Sequence, residues 1–406
     1  MALRLPSMTP TRPPSLPPDD PALVDACARE SVALLRANLT RSGILAATPG
    51  AAAEERRYTR IFGRDAAICA LAMWDSGDPA LQRGAVASLD ALAASQASNG
   101  QIPKYVDPTG RDADFWYLGC IDATLWWLIA VDHLRRAGCV GGPDWGTTAR
   151  RAIAWLHAQE HPLFRLLQQN EASDWADIMP RSGYVLYTNS LWHDVKRRYG
   201  LEMIEATHHH FNHLFNPYRS DLPEYHRARL LRHYARRGRG DPGLYLSFVN
   251  LAFAGNEGDV FGNLLAVLCG LASDSMGHGI ANTIMAAGAD RPWPIRVVLH
   301  PLTRSHELWR PYMGRHQQNQ VHQYHNGGLW PFVGGFWVLA LARLGLREQA
   351  AQALRALAAA NAQQDWRFTE WFHGRTLQPR GMAGQSWNAA TFLLARRALE
   401  GGGSPW

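Results

Sequence analysis

With 406 residues, 47% of them hydrophobic, the chain can bury a large core, and barrel-like folds reach this length as one domain. The formal net charge is +6, and basic residues cluster at 196–198 and 227–239. No nucleic-acid-binding motif accompanies them, so we interpret them as a solvated helix face and expect no nucleic-acid partner.

The cysteines point to a reducing compartment. They are odd in number, scattered and without a CxxC pair, which favours free buried thiols: Cys27, Cys69, Cys120, Cys139 and Cys269. The N-terminus has no apolar segment typical of a signal peptide. We therefore expect a cytoplasmic location.

Helical periodicity dominates the chain. Residues 1–20, rich in proline, serine and threonine, predict a disordered tail. Apolar spacing then predicts helices over 21–39, 66–74, 79–95, 119–136, 147–159, 182–198, 202–214, 218–237, 262–271, 281–287, 331–344, 346–361 and 383–399. One short strand is predicted at 245–250. Because the helices arrive in pairs without a linker, we expect one all-α domain over 21–400, with catalytic loops gathered at one end and a flexible C-terminus over 401–406.

One late segment, Tyr324–Trp337, combines four glycines, two tryptophans and a His-Asn pair. The uncharged run 326–342 is short for a membrane span of ~20 residues and is broken by Pro331, so we expect no membrane insertion. We interpret the segment as a loop-to-helix junction that lines a pocket. Gly327 and Gly328 would let the backbone approach a ligand, whereas Gly334 and Gly335 would let neighbouring helices pack closely.

Two acidic segments could supply catalytic groups. Glu171–Arg181 contains three acids beside Trp175, and a carboxyl group held against tryptophan in a dry pocket has a raised pKa and can act as a general acid. The alternative is that one of these acids caps the following helix. Glu370 lies among aromatic residues, which makes full exposure unexpected. Two such carboxylates would suit glycoside hydrolysis, inverting at ~6.5–9.5 Å apart or retaining at ~5–5.5 Å.

Other polar residues lie where apolar helices begin. Asp65, beside Arg64, could cap its helix, but Asp122 within an apolar helix needs a charged or hydroxylated partner. A neighbouring arginine or sugar hydroxyls would serve. The histidines at 208–210 and 213 have no supporting metal motif, so we interpret them as a polar face or pocket rim and expect neither metal nor cofactor.

These features together resemble a known superfamily. The motifs, in chain order, are Phe62-Gly-Arg-Asp65, Asn99-Gly-Gln-Ile-Pro103, Asp122-Ala-Thr-Leu-Trp-Trp127, Asp174-Trp-Ala-Asp-Ile-Met179, His325-Asn-Gly-Gly-Leu-Trp-Pro331, Glu370-Trp371 and Gln385-Ser-Trp387. The set resembles the α/α-toroid glycoside hydrolases, in particular the glucosidase domain of glycogen debranching enzymes (amylo-α-1,6-glucosidases) and the neutral/alkaline invertases. The resemblance runs from about Tyr58 to Ala395.

The resemblance implies an (α/α)6 toroid of six helical hairpins, with the active site in a central funnel, and inverting hydrolysis of a small carbohydrate without metal or cofactor. The family's general acid matches Asp177 better than Asp174, and its general base matches Glu370. The predicted substrate-binding positions are Arg64, Asp65, Gln101, Asp122, Trp126, Asp174, Trp175, His325, Asn326, Trp330, Gln385 and Trp387.

The chain also departs from these families. We expect no β-rich domain like that of debranching enzymes within these 406 residues, and the residues after Glu370 and the Gly-Arg-Asp motif differ from those of invertases. Both sucrose and glycogen are therefore in doubt, and a terminal α-glucosyl unit on a small glucoside is the expected substrate. The alternative is a sugar epimerase or a sugar-binding toroid, for which His210, His322, His325 and His373 are available. The oligomeric state does not follow from the sequence.

Overall fold

In the computed structural model, which describes residues 21–116, 119–142, 144–218, 233, 241–250 and 253–406, most of the chain is helical. In chain order the helices are α1 (Pro21–Ala37), α2 (Ala51–Glu55), α3 (Gly63–Asp75), α4 (Pro79–Ala94), α5 (Ile121–Arg136), α6 (Trp145–Gln159), α7 (Leu186–Tyr199), α8 (Ile204–Phe215), α9 (Val260–Leu268), α10 (Asp274–Ala286), α11 (Pro331–Arg343), α12 (Arg347–Asn361), α13 (Gln363–Trp366) and α14 (Ser386–Leu399). A 3₁₀ segment covers Pro311–Gln317. The predicted tail 1–20 and almost all of the predicted basic helix 218–237 lie outside the described residues.

Short antiparallel strands join the loops between the helices. They are β1 (Leu39–Thr40), β2 (Gly43–Ile44), β3 (Ile61–Phe62), β4 (Tyr105–Val106), β5 (Ala113–Asp114), β6 (Gln168–Gln169), β7 (Gly183–Val185), β8 (Phe248–Val249), β9 (Trp371–Phe372) and β10 (Pro379–Arg380). They form the sheets β1–β2, β3–β4–β5, β6–β7–β8 and β9–β10. The sequence placed the start of a helix at Ser182, which is wrong because Gly183–Val185 pairs with two distant strands before α7 begins.

Six helices pack in a closed cycle. Helix α3 contacts α5, and the contacts continue through α7, α9, α11 and α14, which returns to α3. A further helix packs outside each member of this cycle, as α4 does on α3, α6 on α5, α8 on α7, α10 on α9, α12 on α11 and α1 on α14. The predicted pairing of helices is therefore confirmed.

Residue composition explains which helices lie inside. Every residue of α9 is buried, and α11 is buried from Pro331 to Leu341, as expected for helices that are apolar all round. By contrast, α6 buries one stripe that includes Trp145, Ala149 and Leu156. Such an amphipathic helix covers the core and exposes its polar face to water.

Close contacts and aromatic side chains fill the middle of the cycle. A Cβ atom on Gly335 of α11 would lie 2.5 Å from Cβ of Thr391 on α14, so this glycine permits the predicted close approach of two helices. Phe336 lies 5.8 Å from Trp126 and 5.5 Å from Trp406, measured between ring centroids. The C-terminal residue is thus packed against α5 and α11.

The Tyr324–Trp337 segment divides into a loop and the start of α11, as predicted. Gly327 has a φ of +96°, and a Cβ there would lie 2.6 Å from Cγ of Pro301, while one on Gly328 would lie 2.6 Å from the Tyr324 carbonyl. These glycines make room for protein atoms of neighbouring segments, and the approach of a ligand to their backbone stays a prediction. No helix in the described part of the chain is both long and apolar enough to span a membrane.

Candidate active site

A cavity of about 300 Å³ opens among the loops that precede the inner helices. Arg64 and Asp65 reach it from the first turn of α3, Trp330 from the residue before α11, and Trp387 from the start of α14. The full lining is Arg56, Arg57, Tyr58, Phe62, Arg64, Asp65, Lys104, Tyr105, Asp114, Trp175, Asp177, Tyr324, His325, Trp330, Glu370 and Trp387. Both predicted catalytic carboxylates are therefore on the wall of one cavity.

Glu370 is buried and tightly held. The Tyr58 hydroxyl donates to its Oε1 at 2.6 Å, and the Met382 N–H donates to its Oε2 at 2.8 Å. Burial raises the pKa of Glu370 to about 7, although both hydrogen bonds favour the carboxylate and oppose the rise. Gly381, with a φ of +74°, leaves the space that the carboxylate occupies, since a Cβ there would lie 2.1 Å from Oε2.

Asp177 has a different environment. It lies in the loop before β7, and 32% of its side chain is exposed. Its two carboxylate oxygens lie 3.8 Å from Nζ of Lys104 and 3.8 Å from Nδ1 of His325. No helix-capping role is seen for this loop, because α7 follows Val185 without a side-chain cap. The carboxylate is thus available to a ligand in the cavity.

Aromatic rings form one wall of the cavity. His325 stacks on Trp330 with 5.2 Å between ring centroids and 19° between planes, and Trp175 meets His325 edge-on at 4.8 Å. Burial, with the nearby charges of Arg181 and Arg64, holds the pKa of His325 well below its usual range. The imidazole is therefore neutral near pH 7, and the stacked pair forms a tightly packed, uncharged part of the cavity wall.

Arg64 pairs with two acids, Asp122 and Asp65. Nη1 of Arg64 lies 3.0 Å from Oδ2 of Asp122, and its Nε lies 3.5 Å from Oδ2 of Asp65. Tyr187 donates to the same oxygen of Asp122 at 2.9 Å. Burial raises the pKa of Asp65 to about 6 despite Arg64. Asp122 does not line the cavity but pairs with Arg64, which does. Arg64 is thus the charged partner that the buried Asp122 was expected to need.

Of the predicted binding residues, Arg64, Asp65, Trp175, His325, Trp330 and Trp387 line the cavity, and the others do not. Asn326 exchanges two hydrogen bonds with the Leu302 backbone, at 2.7 and 2.9 Å. Asp174 accepts from the Ala176 N–H, Gln101 donates to Sγ of Cys120, and Trp126 donates to the Tyr187 hydroxyl. Gln385, directly before α14, is fully buried.

Several lining residues were not predicted. Tyr58 and Lys104 stand at the edges of motifs noted in the sequence, and Tyr324 begins the glycine-rich segment. Their position in or beside those motifs was the only sequence feature that could have indicated a role at the site. The contact between Tyr58 and Glu370 has no local sequence signature, because the two residues are far apart in the chain.

A second, wider cavity of about 990 Å³ adjoins the first. The two share Arg56, Tyr58 and Glu370, and the wider one does not include Asp177. Glu370 therefore stands between the inner cavity and a more open basin. Among the described residues, no group of His, Cys, Asp or Glu side chains is arranged to hold a metal ion.

Comparison with known proteins gives a partial family match. The pattern of the family described as alkaline and neutral invertase matches residues 258–401. Neutral/alkaline invertase 1, mitochondrial, from Oryza sativa subsp. japonica is 28% identical over 142 residues, which are 34% of this chain and 22% of that protein. Alkaline/neutral invertase C, mitochondrial, from Arabidopsis thaliana is 27% identical over 142 residues, 34% of this chain and 21% of its own length. The matched region thus spans about a fifth of these relatives.

Solved structures match more of the chain. A GH63 mannosylglycerate hydrolase from Thermus thermophilus, in complex with glucose, has a TM-score of 0.62 at 16% identity and covers 90% of this chain and 99% of its own. A structure described as a wild-type glycosidase has a TM-score of 0.60 at 16% identity, with 93% and 97% covered. At this identity the likeness establishes a shared fold.

Proposed function

We propose that residues 21–400 form an (α/α)6 toroid acting as an inverting, exo-acting glycoside hydrolase. The observation that carries this proposal is the pair Asp177 and Glu370 on the wall of one small cavity, one carboxyl partly exposed and the other buried. The closed cycle of six helices with a helix outside each supports the toroid. The match to invertases over 258–401 and the fold of known glycosidases support the reaction class.

In this mechanism Asp177 protonates the leaving oxygen and Glu370 activates water on the opposite face of the sugar. Asp177 suits the acid role because its carboxyl group is accessible to a ligand. Glu370 suits the base role because Tyr58 and the Met382 N–H both donate to it, which stabilises the carboxylate and aims its lone pairs. No cofactor enters these steps.

The remaining lining would hold the terminal sugar. The buried pair Trp330 and His325 supplies an uncharged part of the wall, and Arg64 with Asp65 supplies donors and acceptors for hydroxyl groups. A volume of about 300 Å³ is at the small end of the ~300–1,000 Å³ range for small-molecule sites. We therefore favour a terminal α-glucosyl unit on a small glucoside, of the sucrose type or the α-1,6 type. The cytoplasmic location expected from the sequence stays a prediction.

The raised pKa of Glu370 also suits the reverse assignment, in which Glu370 is the acid. The pH dependence separates the two. A base with a pKa near 7 makes kcat/KM rise through pH 7, whereas an acid with that pKa makes it fall.

The main test combines substrates with variants. Sucrose, trehalose, maltose, isomaltose and glucosylglycerate would be incubated with the protein, and proton NMR would report which is cleaved and which product anomer forms first. Asp177→Asn and Glu370→Gln should each remove nearly all turnover while near-UV circular dichroism stays unchanged. Asp90→Asn is the matched control, because Asp90 is a half-buried carboxylate that accepts a bond from Trp145 away from the cavity. Wild-type rates in both site variants would refute the proposal.

A sugar epimerase is the second candidate, because His325 lines the cavity and is held neutral, as a proton-abstracting base must be. Of the other histidines considered, His210 packs on Phe164 at 5.6 Å, and His322 and His373 lie 6.3 Å apart as a separate pair. Deuterium exchange at a sugar C–H without glycosidic cleavage would favour this reaction over hydrolysis.

A further inference from the structure

Arg181 closes the loop that carries Asp177. Its carbonyl accepts a hydrogen bond from the Ala172 N–H at 3.0 Å, and its own N–H donates to the Met179 carbonyl at 2.8 Å. Residues 172–181 therefore form a closed loop with Arg181 at its neck. The Arg181 side chain is fully buried, which is rare for arginine unless the charge is paired.

Two buried acids pair with this arginine. Nη2 lies 3.0 Å from Oδ1 of Asp259, and Nε lies 3.4 Å from Oε1 of Glu257. Within the described part of the chain no nitrogen of the guanidinium has a well-aligned hydrogen bond, so the contact is ionic in character. Asp259 also caps α9 by accepting from the Gly262 N–H at 3.2 Å. The neck of the Asp177 loop is thus attached to the start of an inner helix.

The start of α9 is tied in turn to the aromatic wall of the cavity. The Val260 N–H donates to the Val297 carbonyl at 3.0 Å, and the Val297 N–H donates to the Gly328 carbonyl at 3.1 Å. In the chain Gly328 lies between His325 and Trp330, the stacked pair on the cavity wall. A chain of direct contacts therefore runs from the neck of the Asp177 loop to the loop that would hold the sugar.

We propose that Arg181 is a positioning residue, which fixes the Asp177 loop relative to the sugar-holding loop through its ion pairs with Glu257 and Asp259. The inference rests on the proposed hydrolase function. Stability alone is a weak reason for this arrangement, because a buried ion pair contributes little more than well-packed apolar side chains of similar volume. Position is a stronger reason, since a displacement of ~1 Å in a catalytic group can lower the rate by ~100-fold.

The test compares two lysine variants. Arg181→Lys keeps the charge but shortens its reach and removes the planar fork that contacts two acids. Arg198→Lys is the matched control, because Arg198 is also largely buried and contacts two acids, Asp194 at 2.7 Å and Asp132 at 3.2 Å. It lies on α7 and donates to the Pro405 carbonyl near the C-terminus, and it does not line the cavity.

We expect both variants to lower Tm by similar amounts. Arg181→Lys should lower kcat by ~100-fold with KM within about twofold, because the proton donor moves while the sugar-holding face stays. Arg198→Lys should leave kcat within about twofold of the wild type. Asp259→Asn removes the acidic partner of Arg181 and keeps the helix cap, and it should lower kcat as Arg181→Lys does.

Amide hydrogen exchange supplies a readout that needs no substrate. Exchange across 172–181 should accelerate in Arg181→Lys and stay at the wild-type rate in Arg198→Lys. Unchanged exchange there, or an equal loss of kcat in both lysine variants, would overturn the positioning role. If the wild type cleaves no glycoside, the proposed function fails, and the exchange data still decide whether Arg181 anchors the loop.

Discussion

Replacing Tyr58 by phenylalanine isolates the group that we propose to control the general base. The substitution keeps the ring, which lies 6.2 Å from that of Phe62, and removes the 2.6 Å hydrogen bond to Glu370. A hydrogen bond to a charged group contributes roughly 1.5–3 kcal/mol, and 1.36 kcal/mol corresponds to one pKa unit. The pKa of Glu370, about 7 in the wild type, should therefore rise by roughly one to two units.

The expected result is a shifted pH profile. With Glu370 as the base, the acidic limb of kcat/KM lies near pH 7 in the wild type and should move to about pH 8–9 in Tyr58→Phe. The phenol of Tyr58 does not titrate in this range, because burial, with the charge of Glu370, raises its own pKa well above the usual value. Initial rates on the cleaved glycoside would be measured from pH 5 to pH 10. Tyr199→Phe is the control, since its hydroxyl donates to the Leu128 carbonyl away from the cavity.

Two outcomes would refute this reasoning. An acidic limb that stays in place in Tyr58→Phe would show that the hydrogen bond does not control the base. A basic limb that moves upward instead, while the acidic limb stays, would assign the acid role to Glu370.

Three further substitutions test the environment of the carboxylates. The pKa of Glu370 is about 7 in the folded protein and 4.5 as a free group, so the folded wild type binds more protons and loses stability as pH rises through that interval. The free energy of unfolding of Glu370→Gln, relative to that of the wild type, should therefore increase by roughly 3 kcal/mol between pH 4.5 and 8. A difference that does not depend on pH in urea titrations would contradict this. Gly381→Ala places a methyl group where Oε2 of Glu370 lies and strains a φ of +74°, so kcat should fall at least tenfold. Gly345→Ala is the control, because its φ is +75° and no atom lies within 4 Å of the added methyl group; it should lower stability and leave kcat unchanged. Arg64→Met leaves Asp122 buried without its cationic partner and should lower the free energy of unfolding by about 3–5 kcal/mol in urea denaturation; a loss under about 1 kcal/mol would show that Tyr187 alone satisfies that acid.

Most of the helices could be predicted because their signal is local. Apolar residues at helical spacing predict most of the longer helices within a few residues, and in the structure continuous burial distinguishes α9 and α11 from amphipathic helices such as α6. The short helices α2 and α13 were not predicted. The start of α10 was missed by seven residues, because its apolar pattern is weak there and the signal is Ser273, whose hydroxyl accepts from the Met276 N–H. Two-residue strands such as β9 are too short to show periodicity, and they form only by pairing with other segments, in this case β10 and Leu329.

The candidate site was predictable only as a set of motifs. Asp177 and Glu370 were chosen from the sequence, and both line the cavity. The partner of Glu370 could not be predicted, because Tyr58 lies 312 positions away in the chain. Asn326 shows the opposite error: a polar residue inside a pocket-forming motif satisfies the Leu302 backbone instead of a ligand.

Burial raises the pKa of two carboxyl groups on the cavity wall, those of Asp65 and Glu370. Helix α3 presents its N-terminus to the cavity, and the partial positive charge there, together with Arg64, favours ionised acids. Desolvation nevertheless outweighs these effects, because the pKa of Asp65 is about 6 and that of Glu370 about 7. Carboxylates buried on the wall of this cavity could stabilise the positive charge of an oxocarbenium-like transition state. The hydrogen bonds from Tyr58 and Met382 then keep Glu370 able to ionise near pH 7, where a base is needed.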